Sequence, residues 1–207
     1  MNASLLKNND LQNIVLKSLI ESAKCLDNSD ICTTKNNWLN NIVYHKSTIT
    51  ITADIWKPLS TYIIKDRPLT YSEAVRFVIC MGLQLNALAK ANYGLAQINP
   101  EDIMVINHDW YLLTNFDNIS SLKKEQIHIT QPFNTNNFSA PELENINTLP
   151  AEIHHTSSYY SIAMICVYSL GLSYQDEDLN KLLPSPLYFF LQRCFATNPS
   201  DRAYLLI

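Results

Sequence analysis

Apolar residues open the chain at helical spacing. Leu11, Ile14, Val15, Leu19, Ile20 and Ala23 share one face, which predicts a helix over 11–26 that stops near Asp27-Asn28-Ser29. The period then shortens to two. Residues 38–44 and 48–55 read as strands, and in the second Ile49, Ile51 and Ala53 alternate with Thr48, Thr50 and Thr52. Asn40-Asn41 and His45-Lys46-Ser47 are turn-like. Residues 59–64 predict a short helix. Thr70-Tyr71-Ser72-Glu73 then forms a capping box, in which the threonine oxygen and Glu73 take up orphan N–H groups at a helix start. The helix it opens runs to about Ala91 and is apolar on most faces, which predicts deep burial; Asn92-Tyr93-Gly94 is the expected stop.

Further along, 103–106 and 110–113 flank Asn107-His108-Asp109 as a short β-hairpin. Residues 123–137 are polar and irregular and read as a long loop. The apolar run at 159–172 is shorter than the roughly 20 residues of a membrane span, so 157–172 is expected to be a buried core helix. Another helix covers 187–195, introduced by Pro184-Ser185-Pro186, and 203–207 starts a last one. The pattern predicts a mainly α chain of the α+β class: a helix, two strands, and a helical body with one small hairpin. Strands are too few for a parallel α/β sheet.

Composition narrows the picture. The 207 residues suffice for one domain, and 47% hydrophobic against 16% charged residues supplies a full core rather than a disordered chain. A net charge of −4 without a basic stripe argues against a nucleic-acid partner. Cys25, Cys32, Cys80, Cys166 and Cys194 are odd in number and lack C-x-x-C spacing; free, buried thiols in a reducing compartment follow, with an intracellular, cytoplasmic setting. Residues 1–10 lack the apolar core of a signal peptide, so the Asn-x-Ser sequons at Asn2, Asn118 and Asn137 read as chance. His154-His155 has only Glu152 near it at metal spacing and reads as a loop pair. Neither a Gly-x-Ser-x-Gly motif nor a cysteine–histidine pairing supports a hydrolase. Tyr159-Tyr160 and Tyr188-Phe189-Phe190 read as core aromatics, and as a partner patch wherever they are exposed.

Two segments carry a resemblance. Phe138-Ser139-Ala140-Pro141-Glu142-Leu143 and the later Asn198-Pro199-Ser200-Asp201-Arg202 look like the two ends of a buried ion pair in the large lobe of protein kinases. The order of elements from about Leu11 onward is similar to a kinase beginning at its C helix. The resemblance makes 1–58 a remnant of the small lobe (that helix and two strands) and 59–207 the large lobe, together effectively one domain. Ala96-Gln97-Ile98-Asn99-Pro100-Glu101-Asp102-Ile103 stands where the family has its catalytic loop, and Asn115-Phe116-Asp117 where it has Asp-Phe-Gly. Scy-like pseudokinases share the flavour of 103–116. The non-catalytic large-lobe modules called KIND domains share Pro68-Leu69-Thr70 and Glu73.

The same alignment removes the chemistry. Phosphoryl transfer needs positioning, neutralisation of charge and a base. No Gly-x-Gly-x-x-Gly occurs among the three glycines, and Lys7 is the only lysine ahead of the first helix, with no room there for the strands that would carry a phosphate-binding lysine beside Glu21. The base position falls on Gln97, whose amide takes no proton near neutral pH. The two metal positions become Asp102 and Asn115, a carboxylate and an amide in exchanged places. Asp102, helped by Asp117, is a weak metal candidate, and its plain alternative is a turn residue. Asp117 also replaces a glycine, which implies a fixed conformation, and the aspartate that ties down the catalytic loop appears as Ser158. What persists is Glu142 with Arg202, expected as a bidentate structural pair.

The resemblance therefore implies a catalytically inactive minimal pseudokinase that serves as a scaffold or interaction module. ATP and Mg²⁺ are not expected as cofactors. The partner would be another protein, bound through the helix and strand face left uncovered by a missing small lobe or through the loop 117–139; self-association through that uncovered face is a further expectation. One alternative is a divergent phosphotransferase or nucleotide-binding kinase half completed by another chain. Another is an architectural subunit of a large assembly.

Overall fold

The structure is a computed structural model, and it describes residues 2–7, 9–26, 41–132, 134–174 and 176–206. In chain order its elements are β1 (Asn2–Lys7), α1 (Asp10–Leu26), β2 (Ile42–Tyr44), β3 (Thr48–Ala53), β4 (Trp56–Pro58), α2 (Leu59–Lys65), α3 (Tyr71–Lys90) and β5 (Tyr93–Leu95). There follow β6 (Ile103–Ile106), β7 (Trp110–Leu113), β8 (Ile119–Lys123), β9 (Gln126–Ile129), α4 (Pro141–Glu144), β10 (Ala151–His154), α5 (Ser157–Ser169), α6 (Asp176–Leu179) and α7 (Pro186–Cys194). The chain is mixed α+β, the class expected, but with small antiparallel sheets in place of a helical body with one hairpin.

Two compact units emerge. The first takes the described residues of 1–67 with 76–88 and 100–116; the second takes 68–75, 89–99 and the described residues from 117 onward. The long α3 contributes to both, so the division follows no single cut in the sequence.

The first unit holds two sheets, ordered β1-β3-β2 and β4-β6-β7, all antiparallel. Central β3 alternates as its sequence requires, with Ile49, Ile51 and Ala53 buried and the threonines between them less so. β1 pairs with it over its full length, which sequence pattern did not announce. Of the strand expected over 38–44, residues 38–40 lie outside the described residues and 42–44 form β2. Helix α1 is capped by Asn9, whose Oδ1 accepts from Gln12 N at 2.8 Å. The β6–β7 hairpin turns on Asn107 and His108, at φ 49° and 68°, the left-handed pair of a type I′ turn. Asn107 Oδ1 also accepts from the backbone N–H of Asp54 and Ile55.

β7 is an edge strand whose four residues are all buried, so its outer backbone groups need partners other than water. Glutamine side chains provide them. Gln84 on α3, fully buried, donates Nε2 to Tyr111 O at 2.8 Å and accepts Leu113 N on Oε1 at 2.9 Å; Gln12 on α1 donates to Leu113 O at 3.2 Å. A buried ion pair, Arg76 with Asp109 at 2.6 Å, joins α3 to the hairpin turn. Sequence reading had assigned Asp109 only to the turn.

The second unit holds a four-stranded sheet, β10-β9-β8-β5. Residues 123–129, expected within a loop, belong to its β8–β9 hairpin. The turn is Lys124-Glu125, at φ 48° and 67°, a dipeptide that carries no Asn-Gly or Asp-Gly signal. Ile127 and Ile129 alternate with Gln126 and His128 and enter a core cluster with Ala96, Ala140, Leu143 and Ile153. Gly94 lies in β5, where a Cβ would sit 2.7 Å from Ile127 Cγ1. The left-handed residue that ends α3 is instead Asn92, at φ 62°.

The capping box forms as expected: Thr70 N donates to Glu73 Oε2 at 2.7 Å, and Glu73 N to Thr70 Oγ1 at 3.3 Å. Helix α5 is the expected buried helix but ends at Ser169. Gly171, at φ 70°, closes it in a Schellman motif, with Leu172 N on Val167 O and Gly171 N on Tyr168 O. Ser185 caps α7, with Pro186 in its first turn. Residues 203–206 are not helical, which corrects the expected last helix; Arg193 Nη1 donates to Leu205 O there instead. Among the described residues no helix is long and apolar enough to cross a membrane.

Candidate functional site

The residues singled out in the sequence fall into one cluster in the first unit and three in the second. In the first unit, Pro100–Asp102 forms a single 3-10 turn that leads into β6, and β7 leads out to Asn115. The hairpin thereby returns Asn115 to Asp102. Asp102, 8% exposed, accepts on Oδ1 from Asn115 Nδ2 at 2.9 Å, and its carbonyl accepts from Thr114 N at 2.8 Å. The amide has to present its nitrogen, because oxygen against a carboxylate would repel. The two side chains that the resemblance would put at metal positions are thus bonded to each other. That arrangement does not fit a cation on Asp102 Oδ1, which already faces an N–H donor. Glu21 is exposed on α1.

In the second unit, Gln97 is 2% exposed and bonded at both ends. Its Oε1 accepts from Ser139 Oγ at 2.8 Å, and its Nε2 donates to Asn99 Oδ1 at 3.1 Å. Asn136 completes the cluster: Nδ2 donates to Asn99 Oδ1 at 2.7 Å, and its backbone N–H donates to Ser139 Oγ at 2.7 Å. The 96–99 loop is therefore sewn to the residues that precede Ala140-Pro141-Glu142. The resemblance puts Ser158 where an aspartate would hold this loop. Ser158 indeed bonds elsewhere, to His155 O, but its neighbour Ser157 donates to Ala96 O at 2.9 Å and holds the loop. Asp117 is exposed and lines a polar cavity of about 240 Å³ with Asn118, Ser120 and Gln131.

Glu142 and Arg202 meet. Arg202 donates Nη1 to Glu142 Oε1 at 2.5 Å and Nη2 to Oε2 at 2.8 Å, while its Nε donates to Ala196 O at 2.9 Å. The Arg202 side chain is fully buried and lies 5.2 Å from the Tyr160 ring centroid. Burial, and then the neighbouring Tyr174, pushes the Tyr160 phenol up to about 12. Tyr160 and Tyr174 both pack edge-on against Phe195.

The adjacent histidines close the β8–β9 turn onto the start of α5. His154 Nε2 lies 3.6 Å from Glu125 Oε2, and its Nδ1 bonds Thr156 Oγ1. His155 donates from Nδ1 to Glu125 O at 3.2 Å, leaving Nε2 to accept from the Tyr159 hydroxyl at 3.3 Å. Burial, reinforced by His154, lowers the His155 pKa from its ordinary 6.5. A depressed pKa favours the neutral folded form, so its contribution is present above about pH 6.5 and is lost as pH falls, where the unfolded chain takes the proton first. Thermal melts should show stability dropping between about pH 7 and pH 5, with a shallower drop in His155→Gln; equal slopes would contradict this assignment.

Among the described residues no group of three or more His, Cys, Asp or Glu is placed to hold a metal ion. Cys80, Cys166 and Cys194 are buried and free; the Cys25 side chain and Cys32 lie outside what is described. Of the aromatics, Phe190 is buried but Phe189 is 43% exposed. Sequence reasoning missed the three buried polar devices of Gln84, Arg76 and Gln97. For Gln84 a signal existed, since it interrupts the apolar run of α3 between Leu83 and Leu85. No protein-family model matches this chain, and no curated protein matches it.

Proposed function

We propose that this chain is a catalytically inactive, kinase-like module that works by binding another protein. The observation that carries the reading is the Asp102–Asn115 hydrogen bond: the side chains at the two metal positions of the resemblance are engaged with each other. The base position supports it, because Gln97 is an amide without a basic lone pair, and both ends of it are engaged with Ser139 and Asn99. The Glu142–Arg202 pair supports the large-lobe likeness, and the three buried free thiols support a reducing compartment.

A thermal-shift titration with Mg·ATP tests the reading. No change in melting temperature is expected up to millimolar nucleotide, and none in Asp102→Ala relative to its own baseline. Binding at about 100 times Kd would add about 2.7 kcal/mol and raise the midpoint by several degrees. Such a rise, abolished by Asp102→Ala, would overturn the reading in favour of a phosphotransferase or a nucleotide-binding half.

A further inference from the structure

Charge is unevenly distributed along the second unit. Between Lys124 and Lys181 the sequence contains no lysine or arginine, and seven carboxylates fall in that interval. This cation-free stretch builds a groove of about 390 Å³, lined by Pro132, Thr135, Leu143, Glu144, Ile146 and Leu149 among others. Its floor is firm. Leu143 is 2% exposed and belongs to the apolar cluster with Ile129, Ala140 and Ile153, and Ile146 packs against the same cluster. One wall is held in place by side-chain bonds to backbone, Asn145 Nδ2 to Pro141 O and Asn147 Nδ2 to Asn145 O. At the rim Leu149 is 38% exposed and Glu144 is exposed.

We propose that this groove binds an extended segment of a partner protein in which an aliphatic side chain is followed by lysine or arginine. The aliphatic group would rest against Leu143, Ile146 and Leu149, and the cation beside Glu144. The volume suits a few side chains, not a folded domain. Glu144 decides the sign of the partner: it is the one carboxylate in the lining, which holds no lysine or arginine, so a basic segment meets an opposite charge there and an acidic one a like charge. The proposal rests on the reading of the chain as a protein-binding module and names the chemistry of what it binds.

The test uses the full chain and short fluorescein-labelled peptides followed by anisotropy. One alternates lysine and leucine around a single serine, one replaces lysine by glutamate, and one replaces leucine by glycine. Only the lysine–leucine peptide is expected to bind well, and more weakly as salt rises. Glu144→Lys should weaken it about fivefold or more, and Leu149→Asp comparably; both positions are on the surface, so the melting temperature should hold. Equal affinity in wild type and both variants, or no preference for the lysine–leucine peptide, overturns the groove. Adding labelled Mg·ATP to the same mixtures separates the two claims. A bound, unphosphorylated peptide agrees with both. A bound and phosphorylated peptide refutes the non-catalytic reading and keeps the groove, and an unbound peptide without nucleotide binding removes the groove alone.

Discussion

Glu142→Ala should lower the melting temperature by roughly 6–12 °C, corresponding to about 3 kcal/mol at 2–4 °C per kcal/mol for a chain of this size. The cause is what remains behind. Arg202 is fully enclosed, and its Nη1 and Nη2 both end on Glu142; without the carboxylate a buried cation keeps only the Ala196 carbonyl and the Tyr160 ring face. The Glu142 side chain is 20% exposed, which lets water reach the vacated site and sets the figure at the lower end of the range for broken buried pairs. Arg202→Lys should cost nearly as much, because a point-like ammonium cannot make the two-pronged contact and also reach Ala196. The double variant Glu142→Met with Arg202→Met should recover much of the loss, since it leaves no unpaired charge. Urea denaturation of the four proteins decides. A loss below about 1 kcal/mol in Glu142→Ala would put the pair in the class of surface ion pairs and remove one support for the kinase-like reading.

Gln84→Leu should destabilise the chain by about 2–5 kcal/mol despite exchanging a polar for an apolar side chain of similar size. The substitution removes the side-chain partner of two backbone groups, Tyr111 O and Leu113 N, on an edge strand whose residues are all buried, and a buried group left unsatisfied costs about 1–3 kcal/mol. Gln84→Glu keeps an acceptor for Leu113 N but loses the donor and buries a charge, so it should be no better. Amide hydrogen exchange gives a reading specific to the mechanism: protection at Leu113 should fall in Gln84→Leu by far more than at Ile49 or Ile51, which lie in the other sheet of that unit. Uniform loss of protection, or a variant as stable as wild type, would show that the amide does not serve the strand edge.

These two sites differ in how well the chain announces them. Ala140-Pro141-Glu142 and Arg202 stand out because a named resemblance joins them across a long separation, and their distances agree with the expected contact. Gln84 carries no such motif. An amide in an apolar helix says that something polar is being satisfied, but not that the something is β7. Gln97 was legible as a non-base, while its bond to Ser139 was not, because the two lie on loops far apart in the chain. The exchange of Asp102 and Asn115 was visible in the sequence, and only the folded β6–β7 hairpin turned it into a hydrogen bond.

Signals that act within a few residues were readable directly. The Thr70–Glu73 box, the alternation of β3, the β6–β7 hairpin and the Ser185-Pro186 start of α7 all arise from contacts three or four positions apart or from a two-residue period, and all are present in the fold. Choices that depended on distant partners were not. β1 exists because residues 48–53 offer it an edge, and Lys124-Glu125 accepts a left-handed turn because Ile127 and Ile129 gain a core. Residues 203–206 stay out of a helix, with Arg193 supplying a donor to Leu205 O. In each of these cases the local preference is worth a fraction of a kcal/mol to about one, and burial or a long-range hydrogen bond outweighs it.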